Sequence, residues 1–166
     1  KANSDVCCTS ANAIKVVQSL NGAKEILFIP DRHLGDYVAR NTGKPIVLSR
    51  GFCPTHQKIL PQEISELKEK YPDAEVVVHP ECRRDVIDIA DHVCSTSGMI
   101  KAIAGSSAKR FIIGTEEGML HRMKKEFPDR EFLVPGGRAI WPPPGRHQAR
   151  MAPDSFARPR NRPTSY

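Results

Sequence analysis

Two short segments of the 166-residue chain carry side chains able to do chemistry. In "RGFCPTH", Cys53 follows Gly51-Phe52 and precedes Pro54, with His56 three residues on. The proline-stiffened loop presents the thiol at a fixed place, where it is either a small buried hydrophobe or a group held out to bind something. "VHPEC" sets His79 and Glu81 two residues apart at the end of an apolar run. As a strand end this puts imidazole and carboxylate on one side, able to move protons or grip a polar substrate, unless His79 is a satisfied structural group. Cys82, just beyond, has no partner at metal-ligand spacing and reads as structural. Two hydroxyl pairs, Thr9-Ser10 in "CTSANAIK" and Ser95-Thr96 in "CSTSGMIK", stand where a strand gives way to a helix. Hydroxyls and free backbone N–H groups at such a place hold a phosphate or carboxylate, or simply cap the helix.

The elements that must position these groups alternate along the chain. "DVCCT", "EILFIP", "PIVLS", "AEVVVH", "DHVCST", "RFIIGT" and "EFLVP" read as buried strands rich in β-branched residues. Between them "SANAIKVVQSL", "LGDYVARNTG", "QEISELKEKYP", "RRDVIDIAD", "SGMIKAIAG" and "GMLHRMKKEFP" read as helices, several ended by Gly or Pro. The alternation predicts an α/β protein with parallel sheets covered on both faces. Ligands of such sheets bind beyond the carboxyl ends of the strands. That edge collects Thr9, Ser10, Asp31, Cys53, His56, His79, Glu81, Cys82, Ser95, Thr96, Thr115 and Glu116.

An internal repeat organises the chain. Ile14-Lys15 matches Ile100-Lys101, Ile26-Leu27 matches Ile112-Ile113, Leu34 matches Leu120, and Ile46-Val47-Leu48 matches Phe132-Leu133-Val134, every pair 86 positions apart. One α/β unit is therefore expected twice, over residues 1–73 and 74–135, as tandem three-layer α/β/α units with small parallel sheets. The first unit is expected to lack an opening strand, leaving a sheet edge exposed and the polypeptide prone to aggregate. The same offset assigns Cys53 a counterpart at position 139, where the chain has Ala139.

Composition changes abruptly after residue 135. Residues 136–166 hold six Arg against one Asp, and so carry +5 of the formal net charge of +6; they also hold six of the 14 Pro. The body is nearly neutral, and the tail is expected to be disordered or the product of a shifted reading frame. Five cysteines form no CxxC pair, which favours reduced thiols in a cytoplasm. No secretion signal or spanning apolar run is present, and the start "KANSDVCC" reads as a cut chain.

Taken together, "SDVCCTSANAIKVV", "PDRHLGDYVA", "GFCPTHQK", "HPECRRDVIDIAD", "STSGMIK" and "GTEEGMLHRMKKEFPD" resemble the quinolinate synthase family of NAD biosynthesis, over about residues 1–135. The resemblance implies a pseudo-threefold architecture of three homologous α/β domains around one [4Fe–4S] cluster, each domain giving one cysteine. This chain would then be the middle domain and most of the last. The implied reaction condenses iminoaspartate with dihydroxyacetone phosphate to quinolinate. By the resemblance, Cys53 is a cluster ligand and His56 lies beside the cluster loop. Ser10, Ser95 and Thr96 match substrate-binding hydroxyls, while His79 and Glu81 match the catalytic and substrate-binding His-Pro-Glu segment. Functional coupling to L-aspartate oxidase is implied, with no membrane or nucleic-acid partner.

Only one of the three expected cluster cysteines is in this sequence, so the polypeptide alone is expected neither to hold a stable cluster nor to make quinolinate. A rival reading is a noncatalytic α/β module that binds a small anion and carries a nucleic-acid-binding tail. That reading predicts steeply salt-dependent binding, lost when residues 136–166 are removed.

Overall fold

The computed structural model describes residues 3–137. In chain order the elements are α1 (Ala13–Ser19), β1 (Ile26–Phe28), α2 (Arg32–Thr42), β2 (Ile46–Leu48), α3 (Pro54–Gln57), α4 (Pro61–Lys70), β3 (Glu75–Val78), α5 (Arg84–Ile87), β4 (His92–Val93), α6 (Thr96–Gly105), β5 (Arg110–Gly114), α7 (Gly118–Glu126) and β6 (Glu131–Leu133). All strand pairs are parallel, in two sheets ordered β1-β2 and β4-β3-β5-β6. This is the α/β class expected from the alternating pattern. No helix among the described residues is long and apolar enough to cross a membrane.

The four-stranded sheet is buried on both faces, which explains its unbroken runs of Val and Ile. On one face Val76, Val78 and Ile112 pack with Ile64 of α4 and with Val86 and Ile87 of α5. On the other, Val77, Phe111, Ile113 and Phe132 meet Met99 and Ile103 of α6 and Met119, Leu120 and Met123 of α7. Helix α4 lies within residues 1–73 of the sequence division, yet its buried Ile64 belongs to this second sheet. The two-stranded sheet has one covered face, where Phe28 packs with Ala13, Val17, Leu34 and Val38 of α1 and α2. Its other face is bare among the described residues, with Leu27 66% and Val47 42% exposed.

The strand expected over residues 5–9 does not form. Its counterpart near residue 92, β4, exists because it pairs with β3; no strand among the described residues pairs with residues 5–9. The helix expected over 83–91 stops at Ile87. There Asp91 is drawn into the sheet ladder, giving its N–H to the Val76 carbonyl and taking the Val76 N–H on its carboxylate at 2.7 Å.

The repeat is present with a different register. Ile26 pairs with Ile46 as Phe111 pairs with Phe132, so β1 matches β5 at an offset of 85 and β2 matches β6 at 86. Buried Leu34, Gly35 and Val38 of α2 likewise match Met119, Leu120 and Met123 of α7 at 85. The gap-free match of Ile26 with Ile112 is therefore corrected. A strand alternates faces with period two, and that match would turn the core side of β1 outward. Position 139 and the Arg/Pro-rich tail from 138 onward lie outside the described residues.

Candidate active site

The site forms where the carboxyl ends of β2, β3 and β5 converge. Beyond β2 the chain runs alongside the segment that leads from β1 into α2. Ser49 gives its N–H to the Phe28 carbonyl and its hydroxyl to the Pro30 carbonyl, and Gly51 accepts the Arg32 N–H at 2.8 Å. A side chain at Gly51 would collide with the Pro30 carbonyl oxygen, so this approach needs glycine. Cys53 then stands at the N-cap of α3 with Pro54 at the first helical position. One helical turn carries His56 to the same side as Cys53. The neighbouring Gln57 is tied to His33 at 2.6 Å.

The other half comes from the second sheet. His79 directly follows β3 and hydrogen-bonds through its N–H to the Gly114 carbonyl at 3.0 Å. A turn closed by Cys82 N–H to the His79 carbonyl folds Glu81 back over the histidine. His79 and Glu81 thus share a side because of this turn, and not through strand alternation as the sequence suggests; β3 ends at Val78. Thr115, the residue after β5, completes the wall and is buried.

These pieces meet around His56. Its Nδ1 lies 3.1 Å from Glu81 Oε2 and its Nε2 lies 3.2 Å from Thr115 Oγ1. Its ring stacks on His79 with centroids 4.5 Å apart and planes at 11°. The Glu81 N–H points to His79 Nδ1 at 3.3 Å, which leaves the proton of neutral His79 on Nε2. One ligand atom each from Cys53, His56 and Glu81 lies within 4.8 Å of the others.

The electrostatics divide the two imidazoles. Burial opposes charge on His56, but hydrogen bonds and charge from Cys53 and Glu81 outweigh it and raise its pKa to about 9. Burial, aided by the neighbouring His56 cation, pushes His79 down to about 4 in spite of Glu81. The hydrogen bond from His56 lowers the Cys53 thiol and outweighs its burial. Glu81 is lowered chiefly by the same partner. Around neutral pH the site therefore holds an imidazolium at His56, a neutral imidazole at His79 and a carboxylate at Glu81, with the Cys53 thiol shifted toward its ionised form. Two titratable rings pushed apart in this way are suited to different proton roles.

Other residues singled out by the sequence stand apart from this group. Ser95 is buried and caps α6, accepting the Gly98 N–H at 3.4 Å, and Thr96 is the exposed first residue of that helix. Ser10 lies in the turn before α1, where Thr9 makes the polar contacts, through its N–H and hydroxyl to Asn12 Oδ1. None of Ser10, Ser95 and Thr96 shares a hydrogen bond with Cys53, His56 or Glu81 among the described residues. The structure adds roles that the sequence left unassigned. Thr115 anchors His56, and Asp31 accepts the Cys53 N–H at 2.7 Å. Both stood in the set at the strand ends, but nothing in their spacing names a partner.

A [4Fe–4S] cluster is held by thiolates. Cys53 is half-buried with a lowered pKa, and fits one corner of such a group. Cys82 and Cys94 do not join it. Burial pushes their thiols up to about 12 and about 11, and the Cys82 S–H is given to the Gly114 carbonyl.

Comparison with known proteins identifies the family. The family model "Quinolinate synthetase A protein" matches residues 1–149. The chain is 56% identical over 142 residues to the quinolinate synthase of Geobacter sp. (strain M21), covering 86% of this chain and 46% of that protein. It is 56% identical over 135 residues to the quinolinate synthase of Desulforudis audaxviator, covering 81% and 45% respectively. An archaeal quinolinate synthase, from Methanosarcina barkeri, is 48% identical over 132 residues, covering 80% and 43%. The chain thus spans less than half the length of these relatives.

Proposed function

The chain belongs to the Quinolinate synthetase A family, and we propose that in a complete protein its residues serve the condensation of iminoaspartate with dihydroxyacetone phosphate to quinolinate. The observation that carries this reading is the buried His56, which joins the Cys53 thiol of the first unit to Glu81 and Thr115 of the second. Cys53 is one ligand of a [4Fe–4S] cluster whose other thiolates lie outside residues 3–137. Held by three thiolates, such a cluster leaves one iron open as a Lewis acid toward a substrate oxygen.

The chain's own residues supply the proton chemistry. His56, protonated near neutral pH, gives its two N–H groups to Glu81 and Thr115 and so fixes the carboxylate beside it. Glu81, held ionised beside it, accepts protons during dehydration and ring closure. His79 stays neutral and offers its Nε2–H to a substrate oxygen. Ser10, Ser95 and Thr96 hold the substrate's phosphate or carboxylates at the starts of α1 and α6. The protein works in the cytoplasm, coupled to an L-aspartate oxidase that supplies the unstable imine.

Anaerobic treatment with iron and sulfide tests both halves of this reading. The polypeptide alone is expected to retain no four-iron cluster and to form no quinolinate, and about four irons per chain with turnover would overturn that. In a complete protein bearing this sequence, Cys53→Ser is expected to abolish the cluster absorbance and quinolinate formation. Full turnover by that variant would sink the assignment of Cys53.

A further inference from the structure

Asp31 is buried, 6% exposed, and its two carboxylate oxygens are divided between two elements far apart in sequence. Oδ1 accepts the Leu34 N–H at 2.8 Å and so caps α2. Oδ2 accepts the Cys53 N–H at 2.7 Å, across 22 residues of chain. We propose that Asp31 is the positioning residue of the site, fixing the Cys53 thiol and, through α3, the His56 ring by binding the Cys53 backbone N–H. This rests on the reading of Cys53 as a cluster ligand.

Strand pairing does not reach the cysteine. The ladder between β1 and β2 ends at Phe28 and Leu48, with residues 49–52 still to run before Cys53. Beyond it the two segments stay together through four further ties: the Ser49 N–H to Phe28, the Ser49 hydroxyl to Pro30, the Arg32 N–H to Gly51, and the Cys53 N–H to Asp31. The last is the one that acts on the cysteine itself. It is also charge-assisted and removed from water, and therefore about twice as strong as a neutral bond. Cys53 is the N-cap of α3 and accepts the Gln57 N–H at 3.0 Å, so fixing Cys53 N fixes the start of the four-residue helix that carries His56. Asp31 in turn is anchored by the eleven-residue α2, whose own core contacts are Leu34 and Val38.

This arrangement needs a carboxylate. Two N–H donors approach two separate oxygens, and an asparagine side chain has one oxygen and one NH₂ group. In the Asp31→Asn variant the amide would have to turn its NH₂ toward one of the donors. Because asparagine and serine are as good as aspartate at an N-cap, the oxygen stays with Leu34 and the tie to Cys53 is lost. Asp31→Asn and Asp31→Ser therefore separate helix capping from cysteine positioning, and the serine variant does so with no misplaced NH₂.

The test is hydrogen exchange of residues 53–57, read by peptide mass spectrometry on the iron-free chain, together with the NMR signal of the His56 ring at pH 7; exchange of α2 is measured alongside. Both variants are expected to speed exchange of residues 53–57 about tenfold, as loss of a hydrogen bond to a charged group would, and to move the His56 ring signal, because the ring no longer keeps its place against His79. The amides of Leu34–Val38 keep their protection. Unchanged exchange of residues 53–57 in both variants overturns the proposal. So does an unmoved His56 signal, or loss of α2 protection, in both, because Asp31 would then act only as a helix cap. If the wild-type complete protein took up no iron, the cluster reading would fail while these two readings still judged Asp31.

Discussion

Replacing Thr115 by Val tests whether His56 is held as a cation. The substitution keeps the buried shape and removes Oγ1, which lies 3.2 Å from His56 Nε2. With the ring protonated, Nε2–H donates to that oxygen, and a hydrogen bond to a charged group contributes about 1.5–3 kcal/mol. With the ring neutral and Nδ1–H turned to Glu81, Nε2 instead accepts the Thr115 hydroxyl proton, a neutral bond of about 1 kcal/mol. Thr115→Val should therefore cost about 2 kcal/mol at pH 7 and about 1 kcal/mol at pH 10. The difference of about 1 kcal/mol should lower the His56 pKa by roughly 0.7 unit, from about 9. The sign follows from linkage. A histidine with a raised folded pKa contributes stability that is complete below its unfolded value of 6.5 and is lost as pH rises through about 9. In the wild type this slope is partly masked, because the lowered Cys53 thiol changes proton binding in the opposite sense. The difference between variant and wild type removes that common part. Urea denaturation of both proteins at the two pH values, with Thr115→Ser as the hydroxyl-keeping control, measures it. A cost below about 0.5 kcal/mol at pH 7, or the same cost at both pH values, would refute the imidazolium assignment.

Two further outcomes follow from the same geometry. His79 has a folded pKa near 4 against 6.5 unfolded, so the unfolded chain binds more protons between those values and stability should fall as pH drops from 6.5 toward 4. His79→Gln should flatten that limb by an amount on the order of 3 kcal/mol, measured by denaturation at pH 7 and pH 4.5; an equally steep limb in the variant would assign the acid sensitivity elsewhere. On the bare face of the two-stranded sheet, Leu27→Lys with Val47→Lys should change stability by no more than about 0.5 kcal/mol per site and suppress association in light scattering. A large loss of stability would mean that this face is packed in solution.

The residue types of the site were legible in the sequence, and their assembly was not. Cys53, His79 and Glu81 could be picked out because a thiol beside proline and an imidazole two residues from a carboxylate carry chemistry on their face. His56 looked like a neighbour of the cysteine loop, but it is the centre of the network. Its partners Glu81 and Thr115 are 25 and 59 residues away and meet it only because the ends of β3 and β5 are adjacent in one sheet. Local pattern fixes which strand end a residue occupies, and sheet order fixes which strand ends are neighbours. The second kind of information is tertiary, and Thr115, an ordinary threonine after an apolar run, gave no local sign of it.

The repeat shows the same boundary within the backbone. Apolar residues align at a constant spacing because both units alternate strand and helix with similar lengths, and a one-residue slip leaves such an alignment almost as good. In a folded sheet the slip is decisive, since it exchanges the two faces of a strand. The units resolve this with single-residue adjustments in the loops: α1 matches α6 at 86 through Ala13 with Met99 and Val17 with Ile103, β1 and α2 shift to 85, and β2 returns to 86. The adjustments fall where no core contact is at stake, before β1 and between α2 and β2. Because the spacing has recovered by β2, the strand that leads to Cys53 stands in the same relation to its unit as β6 does to the second. The cysteine is thus delivered by a strand whose spacing the sequence aligned correctly, even though β1 before it was out of register.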